Sequence, residues 1–371
     1  MKNHIVYIVS KVDKAVAFEW IVEAFLKEGE TIQFILLNDK FETSLAQFLK
    51  SYQIPTFQIK LGTKKNYPFV WLKVYNLLKK IKPQVVHTHL FEASLLGLSA
   101  AKVAGVKNRI YTRHHSTYHH EYFPHAVRYD QWINSLATDI VAISLNVKNV
   151  LVQKEKVVES KIHLIEHGFK LEQFESVSED RISQLREKHR IPKDKLIIAT
   201  ISRYIELKGV EYVIRAFKNV HKNHSKTHLL LANAGGGDED VIKKELKQLP
   251  KDAFTEIRFE EDLFALYQLI DFYVHVPING QIEAFGQTYI EALAAGVPSI
   301  FTLSGIANDF IEHESNALVV SPKSSIAIEL AINRLMGDEL LRNRLIENGK
   351  QAVKKFELSH MITKLRNLYT T

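Results

Sequence analysis

Apolar runs alternate with amphipathic segments along the chain, and this alternation predicts a series of strands and helices. In the first half, β-branched and aromatic runs predict strands at residues 4–9, 31–37, 56–61, 83–89, 109–112, 139–144 and 161–165. Segments with helical periodicity lie between them, at residues 18–27, 41–50, 67–80, 93–104, 130–137 and 146–154. Strands that alternate with helices at this spacing are typical of a parallel sheet covered on both faces.

A second alternation begins at Leu196 and continues to Val320, and helices follow it to the end of the sequence. Between the two halves, Leu171 to Lys195 is polar and charge-rich, which indicates the crossing between domains. The pattern therefore predicts an α/β fold with two doubly wound, Rossmann-like domains and a ligand site between them. We expect the first domain at residues 1–175 and the second at residues 176–354.

One stretch of the second half combines several features of a ligand site. Residues 272–276 predict a buried strand, a loop follows, and residues 287–295 predict a helix that ends at Gly296-Val297-Pro298. A helix N-terminus at the carboxyl end of a strand attracts anions, and Gly286 allows a ligand close to the backbone. The carboxylates of Glu283 and Glu291 flank this point. A single glutamate here is more often a solvated helix residue, but the combination favours a nucleotide-sugar site.

Two cations stand at a second strand-to-helix junction. Arg203 and Lys208 follow the predicted strand 196–202, and Gly209 opens the next helix. Fixed cations at this edge of a sheet would stabilise the charge on a departing diphosphate. The alternative is a surface arginine and lysine in a turn.

Composition and charge narrow the class of protein. The chain has 371 residues, no cysteine and a net charge of +7, so disulfides and thiolate metal sites are excluded. The N-terminal apolar run predicts a first strand and is too short for a signal peptide, and no run is long enough to span a membrane.

The basic charge is concentrated between Glu42 and Glu92, where no acidic residue occurs. Lysines and aromatic residues alternate over residues 50–82, as expected for a helix attracted to an anionic membrane surface. A solvated amphipathic helix with its aromatic side chains in the core explains the pattern equally well. Binding to nucleic acid is not predicted, because no motif for it accompanies the charge.

Histidines are unusually dense after two strands of the first half, in His87-Thr-His89 and in the run from His114 to His120. Neutral imidazoles are common metal ligands. No acidic residue stands at a familiar ligand spacing from them, so the sequence predicts no metal site.

The motifs together resemble those of the retaining glycosyltransferase family 4. Glu283 and Glu291 match its E-x7-E signature, and Arg203 to Gly209 match its Arg-x4-Lys-Gly motif. Residues 141–174 resemble another family region, although His167 and Lys170 replace its usual Asn and Asp. The loop after the first strand lacks the family's glycine-rich turn. The resemblance implies a GT-B fold, with two domains facing each other across a cleft and a C-terminal helix at residues 355–371 that packs back on the first domain.

The resemblance also implies residue roles. Catalytic roles are expected for four residues: His114, beside the donor sugar, and Arg203, Lys208 and Glu283. Contacts to the donor nucleotide sugar are expected from Phe285, Gly286, Gln287, Thr288, Glu291 and Gly236. The acceptor side would include His115, which is also the alternative to His114 beside the donor sugar, together with Arg113 and His119. The alternative for Arg113 and His119 is a polar loop without a role.

The sequence therefore predicts a hexosyltransferase that needs no metal or other cofactor. It would move a sugar, with retention of configuration, from a nucleotide-diphosphate sugar (a UDP-sugar is favoured) to a glycan or lipid-linked acceptor in cell-surface polysaccharide biosynthesis. We expect a cytoplasmic protein with peripheral contact to the inner face of the membrane through residues 50–82. The alternatives are a non-catalytic protein that binds a nucleotide sugar or glycan, and an inverting GT-B transferase or nucleotide-sugar epimerase.

Overall fold

The computed structural model describes residues 4–370 and divides into two compact units. The first unit contains the described residues up to Phe169 together with those from Phe356 onward. The second unit contains Lys170–Lys355.

The first unit is built on a parallel sheet with the strand order β3-β2-β1-β4-β5-β6-β7. The strands are β1 His4–Ser10, β2 Thr31–Asn38, β3 Thr56–Lys60, β4 Val85–His89, β5 Asn108–Arg113, β6 Asp139–Ala142 and β7 Ile162–Leu164. The helices between them are α1 Val16–Lys27, α2 Ser44–Ser51, α3 Tyr67–Ile81, α4 Phe91–Ala104, α5 Tyr118–Tyr122, α6 Val127–Leu136 and α7 Leu145–Asn149.

The second unit repeats this plan with the strand order β10-β9-β8-β11-β12-β13, again all parallel. The strands are β8 Leu196–Ile201, β9 Thr227–Ala232, β10 Phe254–Ile257, β11 Phe272–His275, β12 Ser299–Phe301 and β13 Leu318–Val319. The helices are α8 Glu172–Glu175, α9 Glu179–Lys188, α10 Val210–Asn223, α11 Glu239–Leu246, α12 Leu263–Tyr267, α13 Gln287–Ala294, α14 Ser325–Gly337 and α15 Glu339–Val353.

In each sheet the order in which successive strands are added reverses at one point. This point lies between β1 and β4 in the first unit and between β8 and β11 in the second. In open α/β sheets, ligands bind outside the carboxyl ends of the strands at such a switch point. Both predicted sheets are thus present, and each has one preferred place for a site.

The helices are held by apolar side chains at helical spacing. On α3, Val70, Val74 and Leu78 are buried and belong to one cluster with Ile8 and Ile35 of the sheet. Residues four apart share one helix face, so this face packs on the sheet while the lysines of α3 remain exposed.

The last helix, α16 Leu358–Thr370, belongs to the first unit. The chain enters it through backbone hydrogen bonds between Phe169 and both Phe356 and Leu358, of 2.8 and 2.9 Å. Near its end, the buried Tyr369 hydroxyl lies 2.6 Å from Tyr7 Oη and 2.6 Å from His87 Nδ1. The helix therefore completes the interior of the sheet on which β1 and β4 lie.

Several element predictions differ from the structure. The segment 171–195 is not a bare crossing, because it forms α8 and α9 within the second unit, which begins at Lys170 rather than at residue 176. Helix α2 begins at Ser44, where Thr43 Oγ1 accepts a hydrogen bond from the Ala46 N–H, and not at residue 41. Helix α5 was not predicted, because five residues rich in histidine give no clear apolar period.

Among residues 4–370, no helix is both long enough and apolar enough to cross a membrane.

Replacing Tyr369 with Phe should destabilise the protein. The change leaves His87 Nδ1 and the Tyr7 hydroxyl without their buried partner, which costs about 1–3 kcal/mol. Urea titration followed by circular dichroism measures the free energy of unfolding. Tyr52→Phe is the matched control, because it removes a hydrogen bond to Glu23 on the surface and should change the free energy by less than about 0.5 kcal/mol. Equal effects of the two changes would contradict the structural role of Tyr369.

Candidate active site

The switch point of the second unit brings together two of the predicted catalytic residues. Lys208 follows β8, and Glu283 lies in the loop between β11 and α13; their side chains form an ion pair. His275, the last residue of β11, places its Nε2 3.4 Å from the same Glu283 oxygen. Positions 75 residues apart in the chain thus form one charged cluster at the carboxyl edge of the sheet.

Two features of the backbone hold this cluster in place. The Glu283 N–H donates to Ser304 Oγ at 3.1 Å, which ties the loop to the segment after β12. Gly209 has a φ of +66°, and a Cβ there would come within 2.2 Å of the Val276 carbonyl oxygen. The turn that presents Lys208 therefore needs glycine both for its backbone conformation and for its close packing on β11.

The charge of Glu283 is stabilised by its neighbours. The carboxylate is 12% exposed, and burial alone would raise its pKa, but the Lys208 charge and His275 outweigh burial and lower the pKa to about 2. Burial lowers the pKa of His275. The site thus contains a fixed anion and a fixed cation in contact, with an imidazole beside them.

Helix α13 begins next to Glu283. Gly286 is its N-cap at a φ of +85°, and a Cβ there would lie 2.6 Å from the Tyr289 ring. Phe285 is buried, Gln287 is exposed and Thr288 is half-buried. The unpaired N–H groups of the first turn, together with the helix dipole, favour an anion at this end.

Glu291 lies further along α13 in a different environment. It is 8% exposed, and its Oε2 accepts a hydrogen bond of 2.9 Å from the Tyr267 hydroxyl. Burial raises the pKa of Glu291 to about 7, although the Tyr267 hydrogen bond lowers it in part. The pKa values of the two carboxylates of the E-x7-E motif are therefore shifted in opposite directions.

Arg203 is exposed directly after β8, and within residues 4–370 its guanidinium makes no hydrogen bond or ion pair. Gly236 follows β9, and its N–H donates to Glu239 Oε1 at 3.3 Å. Asp238 Oδ2 accepts a 2.6 Å hydrogen bond from the Glu206 N–H, so this acid ties together the loops after β8 and β9.

In the first unit, His114 follows β5 and contacts two other histidines. Its Nε2 lies 3.2 Å from His89 Nδ1, and its ring stacks on that of His167 at 5.6 Å. Burial holds the pKa of both His114 and His89 well below the usual value, so both rings are neutral at pH 7. Leu90, the residue after His89, adopts a φ of +72°. Such strained backbone conformations cluster at functional sites.

The run from Arg113 to His120 folds around two buried acids that the sequence analysis did not pair with it. The Arg113 guanidinium is 1% exposed and contacts both Asp130 of α6 and Glu155. His115 and His119 lie 3.2 and 2.7 Å from Asp130 Oδ2. Arg113 thus does not reach the surface itself but holds the two acids that orient the histidines.

The three groups His115, His119 and Asp130 place one ligand atom each within 4.8 Å of one another. No acidic residue stands at a familiar ligand spacing from these histidines in the sequence, but the fold supplies one, Asp130 of α6. The two contacts with Asp130 are hydrogen-bond distances, and Arg113 Nη1 stands 3.2 Å from the other carboxylate oxygen. This fixed cation disfavours a second cation at the site, so the geometry favours a hydrogen-bonded network.

A small cavity of about 170 Å³ lies in the first unit beside this network. Its wall includes His114, His115, Asp130 and Arg113, with Phe91 and Leu90 on the apolar side. Burial, followed by the Arg113 charge, lowers the pKa of His115 to about 4. The cavity therefore presents neutral imidazoles and a carboxylate.

Sequence reasoning missed several residues of these sites. His275 ends a buried strand directly before the motif, and a polar residue in that position was a usable signal. Tyr267, Ser304, Asp130 and Glu155 had no local signal, because each reaches its partner only through the tertiary fold.

Two family models match the chain. The one described as Glycosyltransferase Family 4 matches residues 22–173, and the one described as Glycosyl transferases group 1 matches residues 181–352.

Individual relatives agree with these models. The capsular polysaccharide biosynthesis glycosyltransferase CapM of Staphylococcus aureus is 28% identical over 81% of this chain and 80% of its own. The alpha-monoglucosyldiacylglycerol synthase of Acholeplasma laidlawii is 24% identical over 90% of this chain and 86% of its own. Among solved structures, Anabaena Alr3699/HepE in complex with UDP and glucose aligns with a TM-score of 0.85 at 16% identity, over 99% of this chain and 100% of that one.

The fold, the matched models and the relatives confirm the predicted resemblance and enzyme class: the chain belongs to glycosyltransferase family 4 and has the GT-B fold.

Proposed function

We propose that this glycosyltransferase is retaining and metal-independent, and that it moves a sugar from a nucleotide-diphosphate sugar to a glycan or lipid-linked acceptor in surface polysaccharide biosynthesis. The observation that supports this most directly is the contact of Lys208, Glu283 and His275 beside the N-terminus of α13. Cation, carboxylate and free helix amides meet at the switch point of one sheet. This is the chemistry that a diphosphate and a sugar with several hydroxyls require.

The donor roles divide among the residues of the second unit. Lys208 and the unpaired Arg203 bind the diphosphate, and the first amides of α13, from Gly286 to Thr288, share its negative charge. Glu283 remains ionised and accepts hydrogen bonds from the sugar hydroxyls. Glu291 receives the ribose hydroxyls, Phe285 supports the turn, and Gly236 borders the base. A UDP-sugar is the favoured donor, in keeping with the UDP in the HepE complex.

The acceptor roles fall to the first unit. We assign His114 to the transferred sugar, as the family resemblance implies, and His115 and His119 to the acceptor. Arg113 positions these two histidines through Asp130 rather than touching the acceptor with its buried guanidinium.

The chemical step exchanges one bond at the anomeric carbon for another. The bond from that carbon to the diphosphate oxygen breaks, and a bond to the acceptor oxygen forms on the same face. The acceptor proton passes to the departing diphosphate, whose charge Lys208 and Arg203 stabilise. No metal is required, because these two cations and the helix amides supply the positive charge.

The enzyme is proposed to act at the membrane surface. Helix α3 exposes Phe69 and Leu72, 70% and 49% accessible, beside exposed lysines. Exposed apolar side chains among basic residues suit the anionic cytoplasmic leaflet. The CapM and glucosyldiacylglycerol synthase relatives are named for a surface polysaccharide and for a lipid product.

The proposed reaction is tested by nucleotide-diphosphate release from UDP-glucose, UDP-galactose, UDP-N-acetylglucosamine and GDP-mannose, in EDTA, with membrane extract as acceptor. We expect release from one donor, and kcat/KM about 100- to 1,000-fold lower in Lys208→Met and Glu283→Gln. Lys222→Met, an exposed lysine at the end of α10, is the matched control and should behave like the wild type.

Three results would contradict parts of the proposal. Release that EDTA abolishes would sink metal independence, and an inverted anomeric configuration of the product by NMR would sink retention. Thermal stabilisation by a nucleotide sugar without any release would favour a non-catalytic binding protein.

The stability of the protein should fall with rising pH because of Glu291. An unfolded glutamate titrates near 4.5, and burial raises the pKa of Glu291 to about 7, so its contribution is full below about pH 4.5 and is lost as pH rises through 7. Glu291→Gln should remove this dependence and gain up to about 3 kcal/mol on the wild type between pH 5 and 8. Urea titrations across this range measure it, with the exposed Glu347→Gln as control. Parallel pH profiles of wild type and Glu291→Gln would rule out the raised pKa.

Membrane contact is tested by co-sedimentation with phosphatidylglycerol vesicles. Changing Lys64, Lys65, Lys79 and Lys80 to Glu should lower the bound fraction strongly, because each lysine contributes about 1 kcal/mol near an anionic surface. The control reverses four exposed lysines of the second unit: Lys222, Lys226, Lys247 and Lys251. Equal binding of the two quadruple variants would remove α3 as the contact surface.

A further inference from the structure

The first unit exposes a group of aromatic side chains that the proposed reaction does not use. Within residues 118–132, five aromatic residues are between 38% and 52% exposed, and we call them the aromatic patch. Its members are Tyr118, Tyr122, Phe123, Tyr129 and Trp132. The exposure of large apolar side chains to water is unfavourable unless a ligand covers them. Five such side chains in one short segment therefore indicate a binding surface.

The patch is built on rigid elements. On α6, Tyr129 and Trp132 are three residues apart on the outer face, while Asp130 and Ile133 are buried on the inner one. On α5, the ring centroids of Tyr118 and Tyr122 lie 5.6 Å apart. The ring centroid of Phe123, the residue after α5, lies 5.3 Å from that of Tyr118. The rings are therefore fixed by the helices that carry the buried Arg113–Asp130 network.

The patch is continuous with the small cavity beside His114 and His115. Phe91 lines that cavity, and its ring meets Tyr129 at 6.2 Å and His119 at 5.6 Å, both edge to face. Outward from Phe91, His125, Arg128, Tyr129 and Trp132 line an open surface cavity of about 560 Å³. The inner cavity is about 170 Å³, so a ligand that fills both must be extended.

Charge distinguishes this surface from α3. Residues 118–132 contain one arginine against Glu121 and Asp130, so they do not attract an anionic surface. Their large exposed apolar side chains are all aromatic, whereas α3 exposes Phe69 and Leu72 among lysines. Contact with an anionic membrane needs basic residues beside the exposed apolar ones, and the aromatic patch lacks the lysines that α3 has.

A chain of sugars has the complementary chemistry. The ring of a pyranose has an apolar face of C–H bonds that packs on an aromatic ring, and hydroxyls at its rim that pair with Tyr, His and Arg side chains. We propose that the aromatic patch binds a neutral oligosaccharide, with one end residue in the inner cavity and the following residues on Tyr129 and Trp132. This rests on the proposed function, because it makes the acceptor a growing glycan of at least two residues.

The test measures binding of neutral hexasaccharides of glucose, galactose, mannose, rhamnose and N-acetylglucosamine, each beside its monosaccharide, by calorimetry. At least one hexasaccharide should bind about ten-fold or more tightly than its monosaccharide. Trp132→Ala and Tyr129→Ala should remove this difference and leave binding to phosphatidylglycerol vesicles unchanged. Tyr52→Ala, an exposed tyrosine at the end of α2, is the matched control and should bind like the wild type.

Equal affinity for hexasaccharide and monosaccharide throughout would overturn the proposal. So would retained hexasaccharide binding in Trp132→Ala, or a loss of vesicle binding in that variant, which would assign the patch to the membrane. Thermal stabilisation by UDP, whose proposed contacts all lie in the second unit, is measured on the same samples. Failure of the donor function and failure of the glycan surface are therefore separately visible.

Discussion

Parallel pairing of the strands is the constraint on which the rest of this structure depends. In each sheet every neighbouring pair of strands is parallel, so all loops that follow a strand come to one edge. Lys208 after β8 and Glu283 after β11 meet for this reason, although they are far apart in sequence. In the first unit the same rule brings His89 at the end of β4 against His114 after β5.

Partner choice then decides which of the clustered groups carry charge. Glu283 has Lys208 and His275 as neighbours and stays ionised, whereas Glu291 on the adjoining helix has the neutral Tyr267 hydroxyl and is easily protonated. In the first unit, the Arg113 charge balances Asp130 and Glu155, and burial together with that charge lowers the pKa of His115. Similar side chains in one motif thus have pKa values shifted in opposite directions, because charged neighbours outweigh burial at Glu283 and do not at Glu291.

The sequence allowed much of this to be predicted, for physical reasons that also explain the gaps. Periodic apolar runs and turn residues are local, so the strands and the Lys208 and Glu283 loops were predictable. The partners of the histidine run were not, because Asp130 reaches His115 and His119 only through the turn from α5 to α6, for which the sequence has no periodic signal. Arg113 was predicted on the acceptor side, and its buried contact with Glu155, 42 residues further along the chain, had no local signal either.

The position of α16 in the first unit has a consequence for synthesis. Its Tyr369 hydrogen-bonds to His87 and Tyr7 in the interior of the first sheet, yet it is translated after the whole of Lys170–Lys355. Domains generally fold as units while the chain leaves the ribosome, N-terminal domain first. Here the second unit is continuous in sequence and can close while the first still lacks its last helix. The first unit is therefore the first to be synthesised and the last to be completed.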